Sequence, residues 1–473
     1  MELIPAMALA ASLAACAGPD PTAGPSHEPA HEPAHEPARE PAPAAAASAP
    51  TRPNLIVVVT DDQRFDQMSC AGHPVLRTPV MDGLAAEGVR FTEAFVTTAI
   101  CAASRATILT GRREGRHGYT FGTPPMGPEL AAESYPMQLR AAGYRTGFIG
   151  KWGVRFAKGA MTDAFDERHT PWYPYVEEGR PHLTDHIGDL AVDFVGREDD
   201  RPFCLSISFH APHAEDSNPD QYIPPPDLAG LYAGAAGAPP PLADEGFEAL
   251  PGFLKESMGR KRWRWRFDTR EKQIQRTRDY WRLISGVDRA LGRVLAAVEA
   301  AGEADNTVVM LIGDNGYFLG ERGLAGKWFI YEESIRVPLI VMDPRASRAR
   351  RGVTEDAMVL NADVAPTLLS LAGLPIPAGH DGRDLGPLLR GEEPAWRSDF
   401  LYEHLLDNEA IPKSVGVRGE RYVYARYFEE EPVFEQLFDL ELDPDQLRDL
   451  ARDAEHEATL ARMRARCDEL GGR

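Results

Sequence analysis

NLIVVV at residues 54–59, followed directly by Thr60 and the acidic pair Asp61 and Asp62, is the stretch of sequence that indicates the fold. A continuous run of β-branched and aliphatic residues is typical of a parallel strand that is buried on both faces of its sheet. The acidic pair then lies at the carboxyl end of a central strand. In open α/β sheets, ligands bind beyond those carboxyl ends.

Further strand-like runs alternate with helical patterns along the chain. This alternation predicts an α/β fold with a mostly parallel sheet sandwiched by helices. The helix that follows Thr78 and Pro79 is expected to end at Gly88. The other predicted strands are residues 144–149, 203–209, 308–312 and 337–342, and the other predicted helices are residues 279–300 and 362–371.

The pattern changes at about residue 395, where short strands and turns replace the strand–helix alternation. We expect strands at residues 399–402, 414–418, 421–427 and 436–440, and then a closing helix. The sequence therefore predicts a main domain over residues 51–394 and a small C-terminal antiparallel α+β subdomain over residues 395–473.

The N-terminus is typical of an exported protein. Residues 1–16 are apolar and end in Leu-Ala-Ala-Cys, which resembles a bacterial lipoprotein signal with Cys16 as the lipidated residue. Glu2 stands where a basic residue is usual, so an ordinary signal peptide with a coincidental Cys16 is the alternative. Residues 17–50 are rich in Ala, Pro, His and Glu, with a fourfold repeat from His27 that reads HEPA three times and then REPA, and they predict a disordered tether. We expect a periplasmic or cell-surface lipoprotein that touches the membrane only through its lipid anchor.

The charge balance restricts the possible partners. The 473 residues include 51 basic and 72 acidic ones, which gives a formal net charge of -21. Such a chain is not expected to bind nucleic acid or an anionic membrane through bulk electrostatics. If the substrate is an anion, the positive charge that binds it must be local.

CAASRATILTGR at residues 101–112 predicts a short helix that begins at Cys101 or just after it and ends at Gly111, a residue suited to the left-handed C-cap. A helix N-terminus presents free amides and a partial positive charge to whatever lies there. Arg105 lies one turn further on, on the same face as Cys101. The segment thus combines a nucleophile with an anion-binding cation.

Oxygen-donor side chains follow two of the predicted strands. Asp61 and Asp62 follow the first, and Asp314 and Asn315 follow the strand at residues 308–312. Carboxylate and amide oxygens are the ligands that hard cations such as calcium prefer. Taken singly, each pair also suits an ordinary turn. Taken together, they predict one cation site to which two strand ends contribute.

These motifs make the chain resemble the formylglycine-dependent (type I) sulfatases of the alkaline phosphatase superfamily, and among them the sugar sulfatases. The family signature is C-x-P-x-R followed by T-G-R, and Ala103 stands here where the family has proline, so which maturation enzyme reads the site stays open. The resemblance extends from Asn54 onward through residues 54–62, 101–112, 150–152, 209–213, 312–338 and 413–440.

The resemblance implies an alkaline-phosphatase-like fold and hydrolysis of a sulfate ester, expected to be on a sulfated small molecule or polysaccharide. It implies that a formylglycine-generating or sulfatase-maturing enzyme oxidises Cys101 to formylglycine, whose hydrate attacks sulfur. One calcium ion is implied, and its ligands would be Asp61, Asp62, Asp314, Asn315 and residue 101.

The resemblance also implies roles for several basic residues. Arg105 would assist residue 101, Lys151 and Lys327 would bind the sulfate group, and His213 or Lys327 would protonate the departing alcohol. Many family members carry a histidine at the position of Gly153, so another base such as His117 is expected to act, or the last step is organised differently. His210 is a further candidate for substrate binding.

Two other functional classes stay open. A phosphodiesterase or phosphonate monoester hydrolase shares the fold, the metal and even formylglycine. A non-catalytic, glycan-binding lipoprotein would fit a chain in which Cys101 is never oxidised. The basic and aromatic segment at residues 260–266, which contains Trp263 and Trp265, is expected either to stack on a sugar or to pack at the domain edge.

Overall fold

The computed structural model describes residues 52–235 and 243–472. The predicted signal at residues 1–16, with Cys16, and the tether at residues 17–50 lie outside this part and stay predictions. The centre of the fold is an eight-stranded sheet, whose strands lie side by side in the order β11 (Val353–Glu355), β2 (Val89–Phe91), β10 (Leu339–Met342), β7 (Thr307–Gly313), β1 (Asn54–Thr60), β6 (Phe203–Ser208), β4 (Arg145–Gly150) and β5 (Glu167–His169).

Strand β1 lies in the middle of this sheet, parallel to both of its neighbours. Its register brings Thr60 opposite Gly313 of β7 and Val59 opposite Ser208 of β6. Only β10 runs antiparallel to the strands beside it. The predicted, mostly parallel sheet is therefore confirmed, and the carboxyl ends of β1, β7, β6 and β4 meet at one edge.

Helices cover both faces of the sheet, as predicted. They are α1 (Pro79–Glu87), α2 (Cys101–Thr110), α3 (Glu114–His117), α4 (Pro128–Glu133), α5 (Tyr135–Ala141), α6 (Leu183–Val195), α7 (Ala243–Ala249), α8 (Gly252–Lys255), α9 (Met258–Arg266), α10 (Arg270–Ala300), α11 (Glu332–Ile335), α12 (Val364–Leu371), α13 (Gly386–Arg390) and α14 (Glu457–Gly471). Leu55 and Val57 of β1 share a core with α2, α5 and α12. Ile56 and Val58 share the opposite core with α1, α6 and α10.

Most predicted boundaries are correct to within two residues, and α10 is the main exception. This helix begins at Arg270, whereas the sequence pattern predicted a start at Asp279. Its first residues are polar and lack the apolar repeat on which the prediction relied. The Thr269 side chain accepts a hydrogen bond from the backbone N–H of Lys272, which caps the longer helix.

The C-terminal part forms a four-stranded antiparallel sheet, as predicted, with strands in the order β13 (Asp399–His404), β14 (Ser414–Gly419), β15 (Tyr422–Tyr427) and β16 (Phe434–Asp439). One face of this sheet packs against α14 through Val417, Leu460 and Met463. The other face joins the main core through Phe400 and Tyr402.

Two small pairs of strands complete the fold: β3 (Ala94–Phe95) with β12 (Val359–Leu360), and β8 (Phe318–Leu319) with β9 (Ala325–Gly326). The loop around β8 and β9 carries Lys327 back toward the carboxyl edge of the main sheet. Within residues 52–235 and 243–472, no helix has the length and apolarity needed to cross a membrane.

Candidate active site

Helix α2 delivers Cys101 to the carboxyl edge of the sheet. The helix begins at Cys101, all ten of its residues are buried, and it ends at Gly111 in the left-handed conformation (φ 64°), as predicted. The N-cap residue Ile100 is extended and provides no side-chain cap. The first amides of the helix are thus not consumed by a capping side chain, which suits an anion at residue 101.

Four of the five predicted metal ligands are oxygen-donor side chains that lie together and are almost completely buried; the fifth is residue 101 at the start of α2. Asp61 and Asp62 follow β1, and Asp314 and Asn315 follow β7, the strand beside it. The backbone N–H of Asp62 donates to Asp314 Oδ1 at 3.1 Å, and Asn315 Nδ2 donates to Asp62 Oδ1 at 2.7 Å. Because β1 and β7 are parallel and in register, two sequence segments more than 250 residues apart form one cluster.

Arg105 joins this cluster to the helix. Its Nε donates to Asp314 Oδ2 at 2.8 Å, and its Nη2 lies 3.2 Å from Asp61 Oδ2. Its Nη1 donates to the backbone carbonyl of Lys151 at 2.9 Å and also to the Ser208 hydroxyl. The guanidinium is therefore held between four strand ends, those of β7, β1, β4 and β6, one turn away from Cys101.

Two lysines complete the charge cluster. Lys151, after β4, forms an ion pair with Asp61, and Lys327 forms one with Asp62. Burial lowers the pKa of each lysine, but the carboxylates more than offset this, so both pKa values lie above the usual lysine value. Cys101 is close enough to contribute to the raised pKa of both lysines and of Arg105. The cations that surround residue 101 therefore stay charged.

The acidic side chains respond in different ways to the same burial. Burial raises the pKa of Asp61 and Asp62, but the neighbouring cations, led by Lys151 and Lys327 respectively, hold both values below the ordinary one. Asp314 has a pKa raised to about 6, first by burial and then by repulsion from Asp61, which the charge of Arg105 does not offset. Like-charge repulsion between the three carboxylates thus persists despite three cations.

The cluster meets the chemical requirements of a hard cation. Three of its buried oxygens have no hydrogen-bond partner, namely Asp61 Oδ1, Asp62 Oδ2 and Asn315 Oδ1. Unpaired buried polar atoms are costly, and they are expected where an ion binds. Asp61, Asp62 and His213 also present ligand atoms within 4.8 Å of one another. The predicted calcium ligands therefore fit such an ion.

His213 lies at the mouth of the cluster. Its Nδ1 is 2.6 Å from the Ala214 carbonyl, which can only accept, so this nitrogen carries a hydrogen. Its Nε2 then faces Asp62 Oδ2 at 3.6 Å. The Tyr175 hydroxyl donates to the His213 carbonyl at 2.8 Å and holds the loop in place.

A cleft of about 510 Å³ opens over Lys151 and His213. Its walls include His210 and the aromatic residues Trp172, Tyr173 and Tyr175, and its outer part carries Glu215 and Asp216. Trp172 is 80% exposed at the entrance, and its ring lies 5.3 Å from that of His210. The sequence reasoning did not find Trp172, Tyr175 or Glu215, although Glu215 follows the motif of His210 and His213 by only two residues.

His117, the candidate to replace the family histidine, lies away from the cleft, whereas Gly153, which occupies the position of that histidine, lies beside Arg105. Both ring nitrogens of His117 have partners: Nδ1 accepts from the Tyr119 backbone at 3.0 Å, and Nε2 is 3.2 Å from the Thr107 hydroxyl. His117 is buried and does not line the cleft, and burial lowers its pKa to about 3. Gly153 has a left-handed backbone (φ 67°), and a Cβ there would lie 3.1 Å from Arg105 Cδ.

Comparison with known proteins assigns this chain to one family. The model of the family described as "Sulfatase" matches residues 53–374, and a model described as "N-sulphoglucosamine sulphohydrolase, C-terminal" matches residues 320–472. An N-acetylglucosamine-6-O-sulfatase of Bacteroides thetaiotaomicron is 28% identical to this chain, over 86% of this chain and 84% of its own length.

Solved structures give the same result for the fold. A structure determined in complex with its substrate D-glucosamine-2-N,6-O-disulfate is 26% identical, with a TM-score of 0.78 over 89% of this chain and 97% of its own. A phosphonate monoester hydrolase of Agrobacterium radiobacter, 22% identical, has a TM-score of 0.73 over 89% of this chain and 95% of its own and shares the fold. The alkaline-phosphatase-like fold and the sulfuric ester hydrolase activity predicted from the sequence are confirmed, and this chain belongs to the sulfatase family.

Proposed function

We propose that this sulfatase hydrolyses sulfate esters of carbohydrates, with Cys101 oxidised to formylglycine and one calcium ion held by Asp61, Asp62, Asp314 and Asn315. The observation that carries the proposal is the buried cluster at the N-terminus of α2. There, three charged cations and three oxygens without a hydrogen-bond partner lie in one cluster, and Cys101 contributes to the raised pKa of all three cations. A cysteine that only filled the core would not need such surroundings.

Two groups supply chemistry that the unmodified chain lacks. The hydrated aldehyde at residue 101 supplies a hydroxyl nucleophile, and calcium, when bound, supplies positive charge beside the sulfate oxygens. Arg105 is fixed by Asp61 and Asp314, so its charge favours an oxygen anion at residue 101. We assign to Asp314, which borders Arg105, the acceptance of the hydroxyl proton.

Lys151 and Lys327 bind the sulfate group in this proposal. Each ammonium has three N–H donors, and its pairing with one aspartate leaves donors for the oxygens of a sulfate. Lys327 is buried, Lys151 is partly buried, and both stay charged, so they can stabilise negative charge that develops on these oxygens in the transition state. Their ion pairs with Asp61 and Asp62 orient them before the substrate arrives.

The leaving alcohol faces the cleft. Lys327 borders the cluster and stays charged, so it can deliver a proton to the departing oxygen. His213 borders both the cluster and the cleft, but burial lowers its pKa to about 4 and its Nδ1 hydrogen is donated to the Ala214 carbonyl, so it can deliver a proton only when Nε2 is protonated as well. Beyond His213, the alcohol meets His210 and the exposed ring of Trp172. An aromatic wall combined with a few polar groups is a usual lining for a site that binds a sugar-sized molecule.

The choice of a carbohydrate also rests on the relatives, which act on glucosamine sulfates according to their names. The runner-up is a phosphonate monoester hydrolase, because that fold is shared. The two functions are separated by kcat/KM for 4-nitrophenyl sulfate against the matching phosphate and phosphonate monoesters. We expect the sulfate to be preferred by at least about tenfold, a difference of about 1.4 kcal/mol. A preference for the phosphonate would contradict the proposal.

Export and maturation of the enzyme are the remaining parts of its proposed function. We propose export as a lipoprotein anchored at Cys16, and oxidation of Cys101 by a formylglycine-generating or sulfatase-maturing enzyme that accepts Ala103. A Cys16→Ser variant in the native host should lose incorporation of a labelled fatty acid and leave the membrane fraction. Unchanged labelling would show that Cys16 is not the anchor.

A further inference from the structure

Helix α9 is the most basic element of an otherwise acidic protein. Its nine residues, MGRKRWRWR at 258–266, include five basic side chains and no acidic one, whereas the whole chain has a formal net charge of -21. The helix lies beside the cleft but contributes no side chain to the acidic cluster or to the cleft lining. The proposed chemistry therefore leaves its charges unexplained.

Three of the five basic side chains are structural. Arg266 is fully buried, and its Nε donates to Gln221 Oε1 at 2.8 Å. The same guanidinium donates to the Tyr317 hydroxyl and forms an ion pair with Asp216. The guanidinium of Arg260 lies 3.9 Å from the Trp263 ring centre and donates to the Gly323 carbonyl. Arg262 pairs with Asp216 at 2.8 Å. These contacts attach the helix to the wall of the cleft.

The other two basic side chains, Lys261 and Arg264, are exposed, and so is Trp265, which is 49% exposed. Within residues 52–235 and 243–472, no ion pair or side-chain hydrogen bond involves Lys261 or Arg264. Helical spacing of three and four residues places Lys261 beside both Arg264 and Trp265. We call Lys261, Arg264 and Trp265 the basic helix face.

This arrangement has a cost for the free protein. Like charges at these spacings destabilise a helix by about 0.2–0.5 kcal/mol each. Burial and then the charge of Arg264 lower the pKa of Arg260, which shows that the repulsion reaches the next turn. In a chain with a large excess of acids, an exposed cationic face without acidic partners is suited to an external anion.

The basic helix face lies next to the cleft, because α9 is attached to the cleft wall at Asp216. Asp216 forms part of the cleft wall and is neutralised by Arg262 and Arg266, so it does not repel an anion that leaves the cleft there. The Arg262 guanidinium lies 4.9 Å from the ring centre of Trp328, the neighbour of Lys327. One turn of helix separates Arg262 from Trp265. A chain-like ligand that occupies the cleft would next meet this face.

We propose that the basic helix face is a docking surface for the flanking anionic units of a sulfated polysaccharide, one unit of which lies in the cleft. This inference rests on the proposed function and extends it from a sulfated sugar to a polymer. Lys261 and Arg264 pair with sulfate or carboxylate groups, and Trp265 packs against a sugar ring. An anionic membrane fits less well, because Trp265 is the only strongly exposed apolar side chain of α9 and gives no apolar face to insert.

The test compares two triple variants. Lys261→Ala/Arg264→Ala/Trp265→Ala removes the basic helix face. Arg348→Ala/Arg462→Ala/Leu442→Ala removes the same charge and one exposed apolar side chain elsewhere on the surface. Binding of dextran sulfate and of unsulfated dextran is measured at two salt concentrations, and so is kcat/KM for 4-nitrophenyl sulfate.

We expect the first variant to bind dextran sulfate at least about tenfold more weakly, with a smaller salt dependence, because surface ion pairs contribute up to about 1 kcal/mol each. The control variant should bind like the wild type. Turnover of 4-nitrophenyl sulfate should be unchanged in both, because none of the six side chains contacts the acidic cluster.

Equal weakening in both variants, or no weakening in the first, would overturn the docking surface. So would a first variant that keeps its affinity for dextran sulfate and instead loses binding to vesicles containing phosphatidylglycerol. If no sulfate ester is turned over by the wild type but the first variant alone loses dextran sulfate binding, the proposed function fails while the docking surface stands.

Discussion

Two buried acidic regions lie next to helix α2, and they differ in whether cations lie beside their carboxyl groups. Asp61 and Asp62 lie near its first residue and face cations from three separate segments. Glu114 follows its last turn, and among residues 52–235 and 243–472 its carboxyl group has only the Thr98 hydroxyl and the Leu405 backbone N–H as hydrogen-bond partners. Burial raises the pKa in both regions. At the first the cations reverse the effect, whereas at the second the pKa of Glu114 rises to about 8.

The difference shows that burial alone does not make an anion-handling site. Glu114 keeps its proton at neutral pH and behaves as a polar core residue. The acidic cluster stays ionised because Arg105, Lys151 and Lys327 come to it from other parts of the sequence. Ionised carboxylates with unpartnered oxygens can hold a cation, and a protonated carboxyl cannot.

The largest expected effect comes from removing one of these cations. Lys327→Met should lower kcat/KM for 4-nitrophenyl sulfate by at least about 10²-fold, because a donor to the sulfate oxygens is lost. The free energy of unfolding should also fall by about 3 kcal/mol, because Asp62 keeps its buried charge without its main partner. Both are measured by steady-state kinetics and urea unfolding.

Lys413→Met provides the matched control, because Lys413 pairs with Asp407 and Glu429 near the surface. Its loss should change unfolding by less than about 1 kcal/mol and leave turnover unchanged. If Lys327→Met were as active as this control, the account of sulfate binding would be wrong.

Removal of calcium should give the next largest effect. Chelation should abolish turnover and lower the melting temperature, and added calcium should restore both, because saturation of a site to about 100 times its Kd stabilises by about 2.7 kcal/mol. An Asp62→Asn variant should lose this response, whereas Glu114→Gln should keep it. Full activity after exhaustive chelation, with no metal left in the protein, would rule out the metal.

Glu114→Gln should change the pH dependence of stability. Below about pH 4.5 both the folded and the unfolded states of the wild type carry the Glu114 proton, and toward pH 8 only the folded state keeps it. The unfolded state then binds fewer protons, so wild-type stability falls as the pH rises through this window. Glutamine cannot ionise, so the stability of the variant relative to the wild type should rise by about 3 kcal/mol between pH 5 and pH 8, because one pKa unit corresponds to about 1.4 kcal/mol.

Urea unfolding at pH 5 and pH 8 checks this sign, with the exposed Glu420→Gln as the control. A variant whose stability relative to the wild type is the same at both pH values would show that Glu114 does not retain its proton in the folded protein.

The smallest effect is expected at Gly153. Gly153→His should not gain activity, because the left-handed backbone costs about 1 kcal/mol for a side chain and the new Cβ would press on Arg105. Gly153→Ala bears the same backbone cost and is the control. A histidine variant with clearly higher turnover than the alanine variant would show that a histidine at position 153 improves the reaction and that no other residue of this chain fully takes over its role.

The sequence predicted the parts of the site that depend on local pattern. The β-branched run of β1, the helix from Cys101 to Gly111 and the acids at the strand ends all follow from residue type and spacing. Their coming together follows from one rule, that carboxyl ends of parallel strands share an edge. The roles of Lys151, Lys327 and His213 came from the family resemblance.

Other features depend on contacts that no local pattern encodes. The pairing of Lys151 with Asp61 requires the order of strands in the sheet. Trp172 and Glu215 line one cleft, yet they come from separate loops with no shared motif. The early start of α10 is marked by a cap at Thr269, whose side chain accepts a hydrogen bond from the backbone N–H of Lys272. The neutralisation of the buried aspartates by cations from other segments could therefore be predicted only once the order of the strands was known.

The central claim is that the charge cluster serves an oxidised residue 101. Peptide mass spectrometry of active protein from its native host tests this most directly, together with the activity of a Cys101→Ala variant. We predict that the peptide containing residue 101 carries the aldehyde in proportion to specific activity, and that the alanine variant is inactive. Fully active enzyme in which residue 101 is entirely unmodified cysteine would contradict the claim.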